Sequence, residues 1–425
     1  MGALQTIMAG FQTPRLRQFL LATFFALCMF PITVGGDDGG GAVSINYLFL
    51  LYPVLMAAMG KLRHPPEAYL FAITFYSLIF VVSAIYQIDL LSDFTRRLTS
   101  FVLFIGIFSY MFVEIEDWMI SAFKISVVLA ACYFSLKSLI TFFLLGGSAK
   151  LGFAAKDAIG SQRYGFIYLT AFWIVYLNPV RSLLMRALKP ILIFIALLGL
   201  VLTFSRASIV ALMVSFAFFM AWSISLRGVS ASTLVKGGLI TLVGGVIVYF
   251  IISTYFPIIL TFFGDRLFSL LADSSKVEAH LETSTSSEGA RLQVWATILD
   301  FISQNPFTGA GYLGVWIVSK TAGLASAHNQ YFDVLFRTGV FGFVIYVALL
   351  FQAGNYLRTK DLGLFWGLIG TLIYGMFHET FKESQGAFVL TFLLGLVAQS
   401  TPRLPDLPGL RDFAARTPPK MSSGG

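Results

Sequence analysis

Charge is what this sequence has least of. Only 12% of its 425 residues are charged and 57% are hydrophobic, giving a mean hydropathy of +0.82. A water-soluble domain is nearer a quarter charged, so a soluble cytosolic enzyme is excluded. Cysteine is almost missing as well: Cys28 and Cys132 both lie inside apolar runs. They read as small buried hydrophobes, and neither a disulfide framework nor a zinc site is available. Histidine occurs four times, and there is no Asp-x-Asp, no paired-carboxylate motif and no His/Cys cluster. No metal and no other cofactor is therefore expected.

What is abundant is phenylalanine, 44 residues of it, set in apolar runs of about twenty that recur from Gln18 to Gln399. This pattern describes an all-α, polytopic membrane protein. Spanning windows fall near 18–35, 43–60, 69–87, 98–114, 118–146, 164–179, 190–205, 207–226, 237–262, 331–353, 362–378 and 386–400, twelve in total. Residues 1–262 then hold nine spans, 263–330 form one large loop, 331–400 hold three more spans, and 401–425, with several prolines, read as a flexible cytoplasmic tail. The first span is expected to remain in place, because Gly-Asp-Asp-Gly-Gly-Gly (36–41) follows it without a small-x-small cleavage pattern.

Lys and Arg in the short loops set the orientation. Arg15, Arg17, Lys61, Arg63, Arg181, Arg186, Lys189, Arg227, Lys236, Arg358 and Lys360, together with the basic residues of the tail, share one side, which is taken as the cytoplasm. Arg96 and Arg97 fall on the other side and run against the trend. The net charge of +8 is accounted for by this topology and by contact with anionic lipid, without nucleic acid.

The 263–330 loop is too long for a connector and lies on the outer side. Leu292, Trp295, Ile298, Leu299 and Ile302 recur within it at helical spacing, predicting an amphipathic helix over 291–303 that lies along the membrane surface. Asn305-Pro306-Phe307-Thr308-Gly309-Ala310-Gly311 ends that helix in a turn.

Charged groups at bilayer depth are expensive and are commonly paired or functional. Arg163, Arg206, Arg266, Arg291 and His328 all fall at outer span ends or in the outer loop. Arg206 sits in a tight turn between two spans, where a guanidinium either snorkels against free carbonyls or grips phosphate oxygens with its fork. Arg291 opens the amphipathic helix, where a cation opposes the helix dipole, so either Glu288 or an external anion is its partner. Arg266 follows Asp265 and is equally well an anchor or a site residue. His328 stands where the loop enters the tenth window; imidazole accepts a proton near neutral pH without large tuning. Arginines with one histidine at a lipid-accessible mouth fit one reaction class: a cationic clamp stabilises a departing lipid pyrophosphate while the histidine deprotonates an attacking hydroxyl.

Arg291-Leu-Gln-Val-Trp-Ala, the 305–311 turn, and His328-Asn329 followed after nine residues by Gly339-Val-Phe-Gly342 together resemble the signature of the O-antigen ligase and O-antigen polymerase superfamily. Phe204-Ser205-Arg206-Ala207-Ser208 resembles that family's Ser/Thr-Arg-Ala-Ser/Thr turn, and the likeness covers residues 203–342. It implies a metal-independent, inverting glycosyltransferase in the inner membrane of a Gram-negative bacterium, its active site facing the periplasm. The implied donor is a glycan on undecaprenyl pyrophosphate. The acceptor is lipid A–core for a ligase, or a second lipid-linked glycan for a polymerase, including an exopolysaccharide polymerase. The short stretch from Pro306 to His328 keeps the polymerase open. By the same resemblance His328 is the base or acceptor-orienting residue, Arg206 and Arg291 hold the pyrophosphate, and Arg266, Arg163, Asn329 and Tyr331 contact substrate. Tyr331, Tyr255 and Trp316 are also placed to stack on sugar or lipid. A flippase or other transporter would instead show internal repeats and charges lining the middle of the bundle. A structural scaffold would leave the outer arginines and His328 without a purpose.

Overall fold

The computed structural model describes residues 14–30, 33–34, 43–44, 46, 48–60, 62–86, 91–144, 164–179, 182–203, 205–227, 287–317, 327–381 and 384–400. Those residues are almost entirely helical. In chain order the helices are α1 (Pro14–Cys28), α2 (Leu51–Ala58), α3 (Glu67–Tyr86), α4 (Leu91–Gly106), α5 (Asp117–Leu144), α6 (Gly165–Leu177), α7 (Leu183–Leu202), α8 (Arg206–Arg227), α9 (Ser287–Gln304), α10 (Gln330–Lys360), α11 (Leu362–Gly375) and α12 (Ser384–Ser400). A two-residue antiparallel pair, Thr33–Val34 with Val43–Ser44, is the only sheet among the described residues.

The chain is a membrane protein. Five stretches, Glu67–Ile85, Asp117–Leu144, Leu183–Leu202, Ala207–Ser225 and Gln330–Lys360, are long and apolar enough to cross a bilayer, and α1, α2, α6, α11 and α12 are shorter apolar helices. Large apolar side chains such as Phe71, Leu78, Phe143, Leu183, Met213 and Phe351 point outward, as lipid contact permits. The 237–262 window lies outside the described residues, as do 263–286 and 401–425.

Several windows are shorter as helices than hydropathy predicts, because hydropathy does not register what ends a helix; among its described residues the 43–60 window is helical only over Leu48–Ala58. The 18–35 window is helical only to Cys28; Asn46 Nδ2 donates to the carbonyls of Leu27, which also accepts from Phe30 N–H, and of Phe30. The 98–114 window ends as α4 at Gly106 and continues as a short 3₁₀ turn, Ser109–Phe112. A Cβ on Gly106 would lie 3.3 Å from the Leu50 side chain.

The most extensive helix pairing joins α6 to α11. Gly363, Gly367 and Gly370 line the α11 face, and a Cβ on Gly367 would lie 3.0 Å from the Thr170 side chain. Small residues let the two backbones approach, which is how helices gain packing energy where lipid removes the hydrophobic drive. Thr170 and Thr371 hydroxyls meet at 3.2 Å across the seam. Against this pair lie α8 and α10, and α7 packs on α5 and α6. The Arg206 end of α8, the Gln330 end of α10 and the Gly375 end of α11 thereby lie on one side of the bundle.

Candidate active site

The predicted amphipathic helix is present as α9, beginning four residues earlier than 291. Val294, Ile298 and Ile302 are its buried stripe, packed with Ala310, Leu313, Val315, Ala327 and Phe336. Leu299, predicted on that face, is 51% exposed; the i, i+4, i+8 row turns it away from the core. Rings fasten α9 to the first turns of α10: Trp295 stacks on Phe332 at 5.1 Å and Phe301 meets Phe336 at 4.9 Å.

The turn after α9 and the Gly-x-x-Gly stretch of α10 are two halves of one joint. Gly339 has φ +70° inside α10, which interrupts its hydrogen bonding. The freed groups are taken up by the turn: Ala310 N–H donates to Phe336 O (2.7 Å), Tyr312 N–H to Arg337 O (3.0 Å), and Val340 N–H to Pro306 O (2.8 Å). A Cβ on Gly339 would sit 2.6 Å from the Phe307 and Pro306 carbonyl oxygens, and one on Gly309 would sit 2.3 Å from Phe336 O. Glycine is required at both positions by the close approach and by the left-handed backbone.

Arg337 locks the joint. Its Nε donates to both Asp333 carboxylate oxygens (2.9 and 2.8 Å), and its Nη1 donates to Ser100 Oγ (3.0 Å) and Tyr312 O (2.8 Å). The Arg97 guanidinium, also buried, donates to Gly311 O at 3.3 Å and Ser83 O at 3.4 Å. Arg97 is one of the two residues that run against the charge trend, and its role in this joint is visible only in three dimensions.

His328 stands just outside the joint with φ +48°, one of two non-glycine residues with positive φ among those described. Its neighbours hold that strain. Ala327 N–H donates to Glu379 Oε1 (2.6 Å), and Ala327 O accepts from Trp295 Nε1 (2.8 Å). Asn329 caps α10, accepting from Tyr331 and Phe332 N–H (2.9 and 3.1 Å) while its Nδ2 donates to Met376 O (2.9 Å). Tyr331 donates its hydroxyl to Leu372 O (2.8 Å), and Gln330 Oε1 accepts from Phe381 N–H (2.7 Å). Residues 376–381, between α11 and α12, thus form a wall against the His328 segment.

That wall carries His378, which the sequence reading left as the end of a span. Its Nε2 lies 3.4 Å from Ser205 Oγ, and its ring stacks on Tyr374 with centroids 4.6 Å apart. Burial pushes its pKa down to about 3, and the positive charge of Arg291 and then His328 pushes the same way, against Glu379. Arg291 and His328 are therefore within electrostatic reach of one imidazole. Ser205 belongs to the tight turn between α7 and α8: its N–H donates to Thr203 Oγ1 (3.3 Å) and its carbonyl accepts from Ser208 N–H (3.2 Å).

Of the predicted site residues, Arg291, His328, Asn329 and Tyr331 lie on elements that meet at this mouth. Arg206 is the first residue of α8, directly after Ser205, and its side chain lies outside the described residues, as does that of Trp316. Arg163, Arg266 and Tyr255 also lie outside them.

Residues 191–347 match the O-antigen ligase family. That match supports a likeness to the O-antigen ligase and polymerase superfamily. The matched stretch runs from α7 to the middle of α10 and includes Arg206, Arg291 and His328, while His378 lies beyond it. No curated protein matches the chain.

Proposed function

We propose that this protein is a member of the O-antigen ligase and polymerase superfamily and a metal-independent, inverting glycosyltransferase that takes a glycan from undecaprenyl pyrophosphate at the periplasmic face of the inner membrane. The acceptor is a hydroxyl of lipid A–core, as in an O-antigen ligase. The observation that carries the reading is that the elements bearing Arg291 and His328 pack together, α9 on α10, with both residues within electrostatic reach of the half-buried His378 imidazole. The twelve-span topology, with its large loop between the ninth and tenth spans, belongs to the same proposal.

In this mechanism the acceptor oxygen forms its bond to the anomeric carbon as the carbon–oxygen bond to the pyrophosphate breaks. His328 takes the hydroxyl proton. The leaving group departs as lipid pyrophosphate, with the charge that develops on it held by Arg206 and Arg291. Only charge-assisted contacts that strengthen as the bond breaks raise the rate of transfer. Arginine suits this task because it keeps its charge and offers a planar fork.

The test is reconstitution in nanodiscs with an undecaprenyl-pyrophosphate glycan and two acceptors supplied separately, lipid A–core and a second lipid-linked glycan. Glycosylated lipid A–core supports the ligase. A ladder on the second acceptor alone assigns the chain as a polymerase, the reading favoured by the short stretch between Pro306 and His328. No product with either acceptor, from protein that is folded, overturns the proposal.

A further inference from the structure

We infer that the imidazole of His378 is a further substrate contact of this site, accepting a hydrogen bond from an acceptor hydroxyl next to the attacking one, whose own proton goes to His328. The inference rests on the glycosyl-transfer reading above and adds to it a residue and a role.

Three observations support it. The first is placement: the 376–381 turn faces the His328 segment, held there by the bonds from Asn329 to Met376 O and from Phe381 N–H to Gln330. The second is orientation. Stacking on Tyr374 fixes the plane of the ring, and Nε2 is directed at Ser205 Oγ, leaving Nδ1 without a hydrogen-bond partner among the described residues. With Nε2–H donating to Ser205, Nδ1 presents a lone pair, which is what a hydroxyl needs as its acceptor.

The third is charge. The groups facing His378 are Arg291 from α9, His328 ahead of α10, Glu379 on its own turn, and the neutral Ser205 from the turn between α7 and α8 and Tyr374 from α11. A third cation in this place would strengthen an anion clamp, yet the surroundings oppose one. They keep the ring neutral throughout the physiological range, so its lone pair is never lost to a proton. If the ring served only to satisfy Ser205, a neutral amide would do as well, and that supplies the test.

Asn and Gln place their amides where Nδ1 and Nε2 respectively stand. With lipid A–core as acceptor in nanodiscs, His378→Ala is expected to raise the acceptor KM on the order of tenfold, leaving the donor KM within about twofold. His378→Asn should recover most of that loss, and His378→Gln, which restores only the link to Ser205, should not. Recovery by Gln and not by Asn makes the ring a structural tie and overturns the inference. So does an unchanged acceptor KM in His378→Ala, or a rise confined to the donor KM. Wild-type protein inactive toward every acceptor would overturn the transfer reading itself, an outcome distinct from active wild type with unaffected variants. If the variants fail to fold, ¹⁵N-histidine NMR of the wild type replaces them. The Nδ1 resonance of His378 must be that of an unprotonated nitrogen at pH 7 and must shift when lipid A–core is added; no shift overturns the contact.

Discussion

Two polar clusters sit five residues apart on the same stretch of chain, and they are built on opposite principles. Around Asp333 and Arg337 charge is buried and balanced: a carboxylate is bidentate to Nε, and Nη1 is spent on Ser100 and Tyr312. Around His328 the neighbouring groups are fixed by hydrogen bonds, its own backbone is left-handed, and both it and Arg291 lie within electrostatic reach of His378. The first arrangement holds the glycine joint together. The second stores backbone strain that the surrounding bonds sustain, as functional sites do. Charge inside a membrane protein is thus not one signal but two: a carboxylate–guanidinium pair that ties segments together, and charged groups gathered about one imidazole.

The largest effect should come from opening the closed cluster. Asp333→Ala strands a buried guanidinium, at a cost of about 3–5 kcal/mol, and the variant should unfold well below the wild type or fail to purify. A melting temperature within about 2 °C of wild type would break the comparison. Gly339→Ala attacks the same joint through the backbone. Its Cβ would meet two carbonyl oxygens at 2.6 Å with φ at +70°, and left-handed strain alone costs about 1–3 kcal/mol, so thermal unfolding should show a clear drop.

At the open cluster the effects should fall on rate. Arg291→Lys keeps the charge and loses the fork, so it should melt like wild type, bind donor lipid and transfer about 10–100-fold more slowly. Wild-type turnover would make Arg291 an interface anchor. The smallest effect concerns acid stability. In the unfolded chain His378 binds a proton below its ordinary pKa of 6.5, whereas in the folded chain it does so only near 3. The unfolded state therefore holds more protons between those values, and stability falls as pH drops through that window. His378→Gln should lose less melting temperature between pH 7.5 and pH 5 than the wild type; an equal or greater loss would show that the imidazole is not held neutral.

Much of this was legible in the sequence. Apolar run length gives the helical membrane class, and spacing gives α9, because both are local properties of the chain. The His328 and Arg291 motifs pointed to the mouth for the same reason. Leu299 was assigned to the wrong face because several phases of a short helix suit a mixed apolar run, and only packing chooses among them. His378 was missed because its meaning comes from Ser205, Arg291 and His328, all remote in sequence. A histidine at the end of an apolar run carries no local mark of what faces it. Arg97 and Arg337 were hidden in the same way, since their partners lie on other helices and on the turn at Gly311 and Tyr312.

The central claim is that the mouth around His328 performs the transfer while the joint beneath it only holds it in place. Single-turnover transfer by His328→Ala in nanodiscs, measured beside its melting temperature, tests this most directly. General-base removal typically costs 10²–10⁴-fold, so the account predicts transfer far below about a tenth of the wild-type rate from protein that melts within about 2 °C of it. Transfer above that tenth by the folded variant would contradict it.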